Sequence, residues 1–255
     1  MPKAILTLLL LPALAFSWGK TGHRVVGQIA ENHLTPQAAA AIRGLLGADG
    51  LAEVANWADE IRSDPANWKK ADPWHYVNIP DGQTYEAMEK NPAGDIFTAL
   101  KKFEATLRDA GASKAEKTTA LKFLIHMIGD LHQPLHAGKR EDLGGNRVTV
   151  HWFRNAESTN LHAVWDDLII EQEKLSFTEW SRFLDHPTAA EVKEWQSTSY
   201  SAWMEESLKL RDRCYDFKPE LPLSYEYVYK SLPVVKQRLL QAGIRLAGTL
   251  NAIFQ

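Results

Sequence analysis

The sequence predicts an all-α fold, a single mainly helical domain, and three observations carry that expectation. Apolar residues recur at three-and-four spacing through most of the chain, whereas only one short run, Arg147 to Phe153, alternates as a strand would. Helix starts are marked by caps, Thr35-Pro36 and the Ser113-Lys-Ala-Glu116 box being the clearest. No repeat, low-complexity tract or linker divides residues 18–255, and the 255-residue chain is long enough to bury a sizeable core.

Taken in order, Gly19 and Gly22 suggest a flexible start, and a first helix is expected from about His23, with Val25, Val26, Ile29 and Ala30 on its apolar side. A second runs from Pro36 through Ala38 to Leu46 and closes at Gly47. The stripe Val54, Trp57, Ala58 and Ile61 predicts a third over Leu51 to Arg62. Residues 64–92, rich in Pro, Asp, Asn and Trp, read as a long loop carrying His75 among aromatics. Helices follow at about Asp95–Ala110 and from Ser113 into the central stretch. After a Gly-rich loop, a short hairpin is expected near 147–153. Further helices are expected at Leu161–Glu171, Phe177–Leu184, Ala189–Arg213 and Val234–Phe254.

The chain is organised around Leu121 to His136, LKFLIHMIGDLHQPLH. His126 and Asp130 are four apart, so a helix projects them from one face. Nearly every neighbour is apolar, which predicts burial, and Pro134 ends the helix because it lacks an amide hydrogen. A buried carboxylate is costly unless paired or bound to metal. Each residue taken alone could be an ordinary buried polar group satisfied by the backbone. His162 and Asp166 repeat the spacing, however, and two such pairs favour a metal site.

Bulk properties narrow the setting. A formal charge of −3 gives no basic footprint for holding nucleic acid through many Lys and Arg contacts, so any such attraction must be local, and bound cations are one source of it. Residues 1–17, MPKAILTLLLLPALAFS, read as a secretory signal with Lys3 at its start and Ala15-Phe16-Ser17 as the cleavage site. The mature domain is then 18–255, beginning at Trp18, secreted or periplasmic. Without Lys3, 28 basic residues face 32 acidic ones, a charge of −4. Cys214 is the only cysteine, so no internal disulfide can form, and no Asn-x-Ser/Thr acceptor is present.

The motifs now in view resemble a known family. They are Trp18 followed by His23, W-A-D at 57–59, W-H-Y at 74–76, H-x-x-x-D-x-H-Q-P-L-H at 126–136, G-G-N at 144–146 and H-x-x-x-D at 162–166. Over essentially the whole mature chain the sequence resembles the zinc-dependent single-strand-preferring nucleases, which share a fold with the zinc-dependent phospholipases C. The resemblance implies three zinc ions. Asp59, His75, His126 and Asp130 would hold one; the amino nitrogen and carbonyl oxygen of Trp18, His23 and Asp130 a second; His136, His162 and Asp166 a third. Cleavage before Trp18 would then be needed to free the ligating amine.

The implied activity is endonucleolytic hydrolysis of single-stranded DNA and RNA to 5′-phosphorylated products by a metal-activated hydroxide, with 3′-nucleotidase activity. Arg62, where much of the family has lysine, would stabilise phosphoryl charge, and Asn146 would help hold the scissile phosphate. Tyr76 would stack on a base. Asn78 stands where fungal members have an aspartate, so base preference does not carry over. His132 reads as structural, and His33, His151 and His186 lack partners at ligand spacing. The protein is expected to act as a monomer without a membrane.

Two alternatives remain open on sequence. A phospholipase C of the same fold is disfavoured by the five-residue Trp18–His23 spacing and by Asp166, where those lipases use glutamate. A non-catalytic zinc-binding protein would have no need of Arg62 or Asn146.

Overall fold

The computed structural model of the protein describes residues 18–255, and the leader expected at 1–17 lies outside them. Helices α1 (Lys20–Asn32) and α2 (Pro36–Leu46) form close to where their apolar stripes place them. Thr35 Oγ1 accepts the Ala38 amide at 3.2 Å, with Pro36 at the first helical position. The single helix expected from Leu51 to Arg62 is instead α3 (Leu51–Val54), α4 (Trp57–Glu60) and a 3-10 turn at Ile61–Ser63. The break has a tertiary cause: Ala55 turns its carbonyl to His126 Nδ1 at 2.7 Å, and Asn56 Nδ2 donates to the Lys20 carbonyl at 3.3 Å.

The expected loop at 64–92 is partly helical, containing α5 (Pro65–Trp68) and a 3-10 segment, Lys69–His75. Asp95 caps α6 (Ile96–Arg108), accepting the Thr98 amide at 2.9 Å. The Ser113–Glu116 box caps α7 (Lys114–His132) as predicted, with the Ser113 amide donating to Glu116 at 2.8 Å. Pro134 stops α7, and the chain tightens into a 3-10 turn, Pro134–Ala137.

The alternating run supplies only one strand of the hairpin. β1 (Thr149–His151) pairs antiparallel with β2 (Ser158–Asn160), Val150 opposite Thr159. The return cannot occur before 153, because the Leu223 amide donates to His151 O at 2.8 Å and the Phe153 amide to Leu223 O at 2.7 Å. The helix expected at 161–171 is α8 (Leu161–Ala163), a π-turn (Val164–Leu168) and α9 (Ile169–Gln172) in succession.

Helix α10 (Phe177–Leu184) matches its expectation, but the helix expected at 189–213 is two, α11 (Ala189–Gln196) and α12 (Tyr200–Cys214). Ser199 caps the second by accepting the Ala202 amide at 3.4 Å. The last helix, α13 (Tyr225–Ile253), starts nine residues before Val234 and runs through Pro233. Packing overrides the proline's cost of about 3 kcal/mol. Tyr227 and Val228 are buried in the opening turns, and Tyr227 both accepts from Trp165 Nε1 at 2.7 Å and donates to the Cys214 carbonyl at 2.5 Å.

From Ala120 to His132 every residue of α7 except Lys122 is buried, which makes this helix the axis of the molecule. Helices α1, α6, α12 and α13 pack around it. Among the described residues no helix is long and apolar enough to cross a membrane.

Candidate metal centre

Four segments far apart in sequence deliver His and Asp side chains to one buried locus. α1 brings His23, α4 brings Asp59, the 3-10 segment before Tyr76 brings His75, and α7 brings His126 and Asp130. Asp130 is the hub, fully buried, with Oδ1 3.2 Å from His23 Nε2 and Oδ2 3.1 Å from His75 Nδ1 and 3.2 Å from His126 Nε2. Asp59 Oδ1 lies 3.7 Å from His126 Nε2 and 3.8 Å from His75 Nδ1. Its side chain is 17% exposed where those of His126 and Asp130 are 0%, so the locus opens to solvent on the Asp59 side.

A second locus joins His136, in the 3-10 turn after α7, to His162 and Asp166 across the π-turn. Asp166 Oδ2 is 3.2 Å from His162 Nε2, and Oδ1 is 3.6 Å from His136 Nε2. In each of three groups, namely His23/Asp59/His126, His75/His126/Asp130 and His136/His162/Asp166, the candidate ligand atoms lie within 4.8 Å of one another.

The imidazoles are oriented by backbone carbonyls. His126 Nδ1 donates to Ala55 O at 2.7 Å, His136 Nδ1 to His75 O at 2.7 Å and His162 Nδ1 to Gly144 O at 2.6 Å. Each bond fixes the tautomer that aims Nε2 inward with its lone pair available, the arrangement metal-binding imidazoles adopt. Two glycines make room for this packing. A Cβ on Gly129 would come within 2.9 Å of His23 Nδ1, and Gly144, at φ +62°, would drive one into the Leu135 carbonyl.

The donor set fits a divalent cation. The buried atoms Asp130 Oδ1, His136 Nε2 and Asp166 Oδ2 have no hydrogen-bond partner among the described residues, which buried polar groups rarely tolerate, whereas His75 faces the locus through Nδ1. Electrostatics agree. Burial alone would raise the Asp130 carboxyl, but His126 and His136 hold it well below the usual carboxylate range. Burial opposes charge on His126, yet Asp130 and Asp59 push it up to about 9; His136 reaches about 9 through Asp130 and Asp166. Burial and His126 push His23 down. A divalent cation that prefers imidazole and carboxylate ligands would supply the positive charge that the buried Asp130 and Asp166 attract.

Trp18 is fully buried beside this region, and the Gly19 amide donates to Asp166 O at 2.6 Å, tying the start of the domain to the second locus. Arg62 stands at the rim, its guanidinium 3.7 Å from Asp59 and 3.8 Å from Asp72. Tyr76 and Asn78 line one cleft of about 340 Å³ together with Lys90, Gly94 and Arg140. Asn146 sits two residues beyond Gly144, its amide donating to the Leu143 carbonyl at 2.8 Å.

His132 faces away from the metal ligands, as a structural residue would. Its Nδ1 donates to Ile128 O at 2.7 Å and Nε2 accepts from Arg245 at 3.0 Å. His33 bonds Asp185 at 2.7 Å in a half-buried pair. Sequence reasoning missed Gln133, whose side-chain amide donates to Asp166 Oδ1 at 2.5 Å and whose carbonyl oxygen accepts the Leu135 amide at 2.5 Å. The available signal was a glutamine wedged between His132 and Pro134, where a solvated amide has no place.

Comparison with known proteins gives consistent findings. A family model described as S1/P1 Nuclease matches residues 18–255. Endonuclease 3 of Arabidopsis thaliana is 36% identical over 98% of this chain and 94% of its own length. Endonuclease 4 of the same plant is 35% identical over 94% and 90%, and Nuclease S1 of Aspergillus oryzae is 30% identical over 96% and 94%.

Proposed function

The chain belongs to the S1/P1 nuclease family, and from that premise we propose that it is a secreted zinc endonuclease of single-stranded DNA and RNA. As a family member it is a nuclease, a hydrolase whose substrates are nucleic acids. The finer reading is that it cuts single strands to 5′-phosphorylated products, removes phosphate from 3′-nucleotides and works as a monomer. Its mature domain would be 18–255, with residues 1–17 cleaved after Ser17 on export to the periplasm or beyond.

The observation that carries this reading is the pair of buried His/Asp loci whose candidate ligand atoms lie within 4.8 Å of one another, with acceptor atoms left unsatisfied. We assign Asp59, His75, His126 and Asp130 to one zinc; Trp18 (amine and carbonyl), His23 and Asp130 to a second; and His136, His162 and Asp166 to a third. When bound, zinc would supply Lewis-acid polarisation of the phosphoryl group and a water acidified towards neutral pH.

The chain's own residues do the rest. Asp130, gripped by three imidazoles, fixes the spacing of the ligands and cannot swing away. Arg62 presents a guanidinium where the locus opens, so it can bind phosphoryl oxygens as negative charge develops. Asn146 positions the scissile phosphate from the loop that also orients His162. Tyr76 stacks on a base within the cleft it shares with Asn78 and Arg140, and stacking tolerates any sequence.

The test is a paired assay of zinc-loaded protein beginning at Trp18 on single-stranded DNA and on phosphatidylcholine, each with and without chelator. Chelator-sensitive cleavage of DNA with no lipid turnover is expected. Lipid turnover without DNA cleavage would overturn the reading in favour of a phospholipase.

A further inference from the structure

Behind the segments that build the metal locus, five aromatic rings form one cluster. Trp57 lies 5.4 Å from Trp68 and 5.3 Å from Phe123; Trp74 lies 5.6 Å from Phe123 and 5.7 Å from Phe103. Phe103 and Phe123 stack at 4.6 Å. Three lysines stand over it. Lys102 Nζ is 4.8 Å from the centre of Trp74, Lys122 Nζ 5.3 Å from Trp57 and Lys70 Nζ 5.9 Å from Trp68.

Lys122 occupies the one position between Ala120 and His132 where α7 is not buried. None of the three is ion-paired with a carboxylate among the described residues, whereas neighbouring Lys69 is held by Asp72 at 2.6 Å. In a chain of formal charge −3, ammonium groups gathered on a shared aromatic floor and left without counter-charge make a local anion-attracting surface.

This surface is the outer side of the segments that build the metal locus. Trp57 precedes Asp59 by two residues in α4, Trp74 directly precedes His75, and Phe123 lies one turn before His126 on α7. Trp74 also donates to the Ala93 carbonyl at 3.1 Å, and the next residue, Gly94, lines the cleft that holds Tyr76. Cleft and lysine patch are therefore contiguous.

The geometry points to a phosphate track: Lys70, Lys102 and Lys122 bind backbone phosphates of the single strand flanking the bond to be cut. The inference rests on the nuclease reading and deepens it by assigning where the unreacting part of a long substrate lies. The rings beneath are partly or wholly buried, so their part is to hold the lysine heads in place, and the lysines carry no base specificity. Long strands gain affinity from the track, and a mononucleotide does not reach it.

The test is fluorescence anisotropy of the zinc-loaded protein with a cleavage-resistant phosphorothioate strand of about 20 nucleotides, against salt. Replacing all three lysines by glutamine (Lys70→Gln, Lys102→Gln, Lys122→Gln) keeps much of each stem. The slope of log affinity on log salt should become shallower by about 2, from roughly 0.7 for each phosphate no longer neutralised. Affinity near 0.1 M salt should fall on the order of 10- to 100-fold by the same relation.

KM for a 3′-nucleotide should stay within about twofold, and the triple Lys→Arg variant should keep the wild-type slope, since the counterions released are unchanged. An unchanged slope, or equal weakening on the 3′-nucleotide, would overturn the track. Should the triple variant unfold, Lys70→Gln alone, at an exposed site, should still lower the slope by about 0.7, and no change there would count equally against it. A wild-type protein that binds the strand with a lysine-dependent slope yet cleaves nothing would sink the nuclease activity and leave the track standing.

Discussion

Helix α7 carries two buried polar clusters on opposite sides, and only one of them is complete. On one side His126 and Asp130 meet His23, Asp59 and His75, with Asp130 Oδ1 left without a hydrogen-bond partner among the described residues. On the other, His132 accepts from Arg245, and the His132 carbonyl accepts from Arg238 Nε at 3.0 Å. Glu206 closes that network, accepting from Arg238 NH1 at 2.5 Å and from Arg245 at 2.6 and 2.7 Å. Ser207 contributes too, donating to the Leu131 carbonyl at 2.6 Å and accepting from Arg238 at 2.8 Å.

Both clusters are built on a fully buried imidazole, His126 and His132, so burial does not separate a site from a scaffold. Satisfaction does. The arginine side closes its own hydrogen bonds and holds the carboxy end of α7 rigid, while the histidine side gathers ligand atoms that could hold a metal ion.

The sharpest way to break this comparison is Asp130→Ala. Turnover on single-stranded DNA should fall by about 10³-fold or more, several kcal/mol of transition-state stabilisation, with loss of bound metal. The metal-free protein should lose less stability than Arg245→Ala loses. Retained turnover and metal content would erase the distinction between the two sides.

Arg245→Ala strips His132 Nε2 of its donor and leaves Glu206 with one arginine. We expect about 3–5 kcal/mol of destabilisation in urea unfolding, as for other broken buried ion pairs, and little change in turnover per folded molecule. A cost under about 1 kcal/mol would put the network in the class of surface pairs.

Gln133→Ala sharpens the comparison at the second locus, because its amide holds Asp166 as the carbonyls hold the histidines. Metal affinity at His136, His162 and Asp166 should drop about 10- to 100-fold in titration while the other ligands keep theirs. Equal affinity at all sites would show the bond to be incidental.

The smallest effect is a divergence with pH. In the metal-free protein His126 and His136 are raised to about 9, so their stabilising contribution is fully present below 6.5 and is lost as pH rises through 9. On the other side, burial and the flanking arginines hold His132 well below 6.5, so stability falls as pH drops below 6.5. Burial would raise the Glu206 carboxyl, but Arg245 and Arg238 lower it, so its contribution is present above 4.5 and lost in stronger acid. Chelated protein should therefore melt a few degrees lower at pH 9 than at pH 6.5, and zinc-loaded protein should not, on the scale of roughly 2–4 °C for each kcal/mol. Identical melting curves for the two forms across that range would count against His126 and His136 as ligands.

Local covalent geometry made part of this legible from the chain alone. A four-residue spacing on a helix puts His126 beside Asp130 and His162 beside Asp166 whatever the rest of the molecule does, the latter pair surviving even though Asp166 sits in a π-turn. Caps at Thr35 and Ser113 and the stop at Pro134 are likewise decided by neighbouring residues, and so were visible without a fold.

What the sequence could not determine is everything that depends on which distant groups a backbone atom meets. The break between α3 and α4 follows from Ala55 facing His126, the early start of α13 from Tyr227 meeting Trp165, and the role of Gln133 from Asp166 lying across the pocket. The same holds for Lys70, Lys102 and Lys122, three charges far apart in sequence that packing of Trp57, Trp68 and Trp74 gathers over one aromatic cluster. Spacing along one element is fixed by the backbone, whereas convergence between elements is set by burial of the faces they share, and only the tertiary structure decides it.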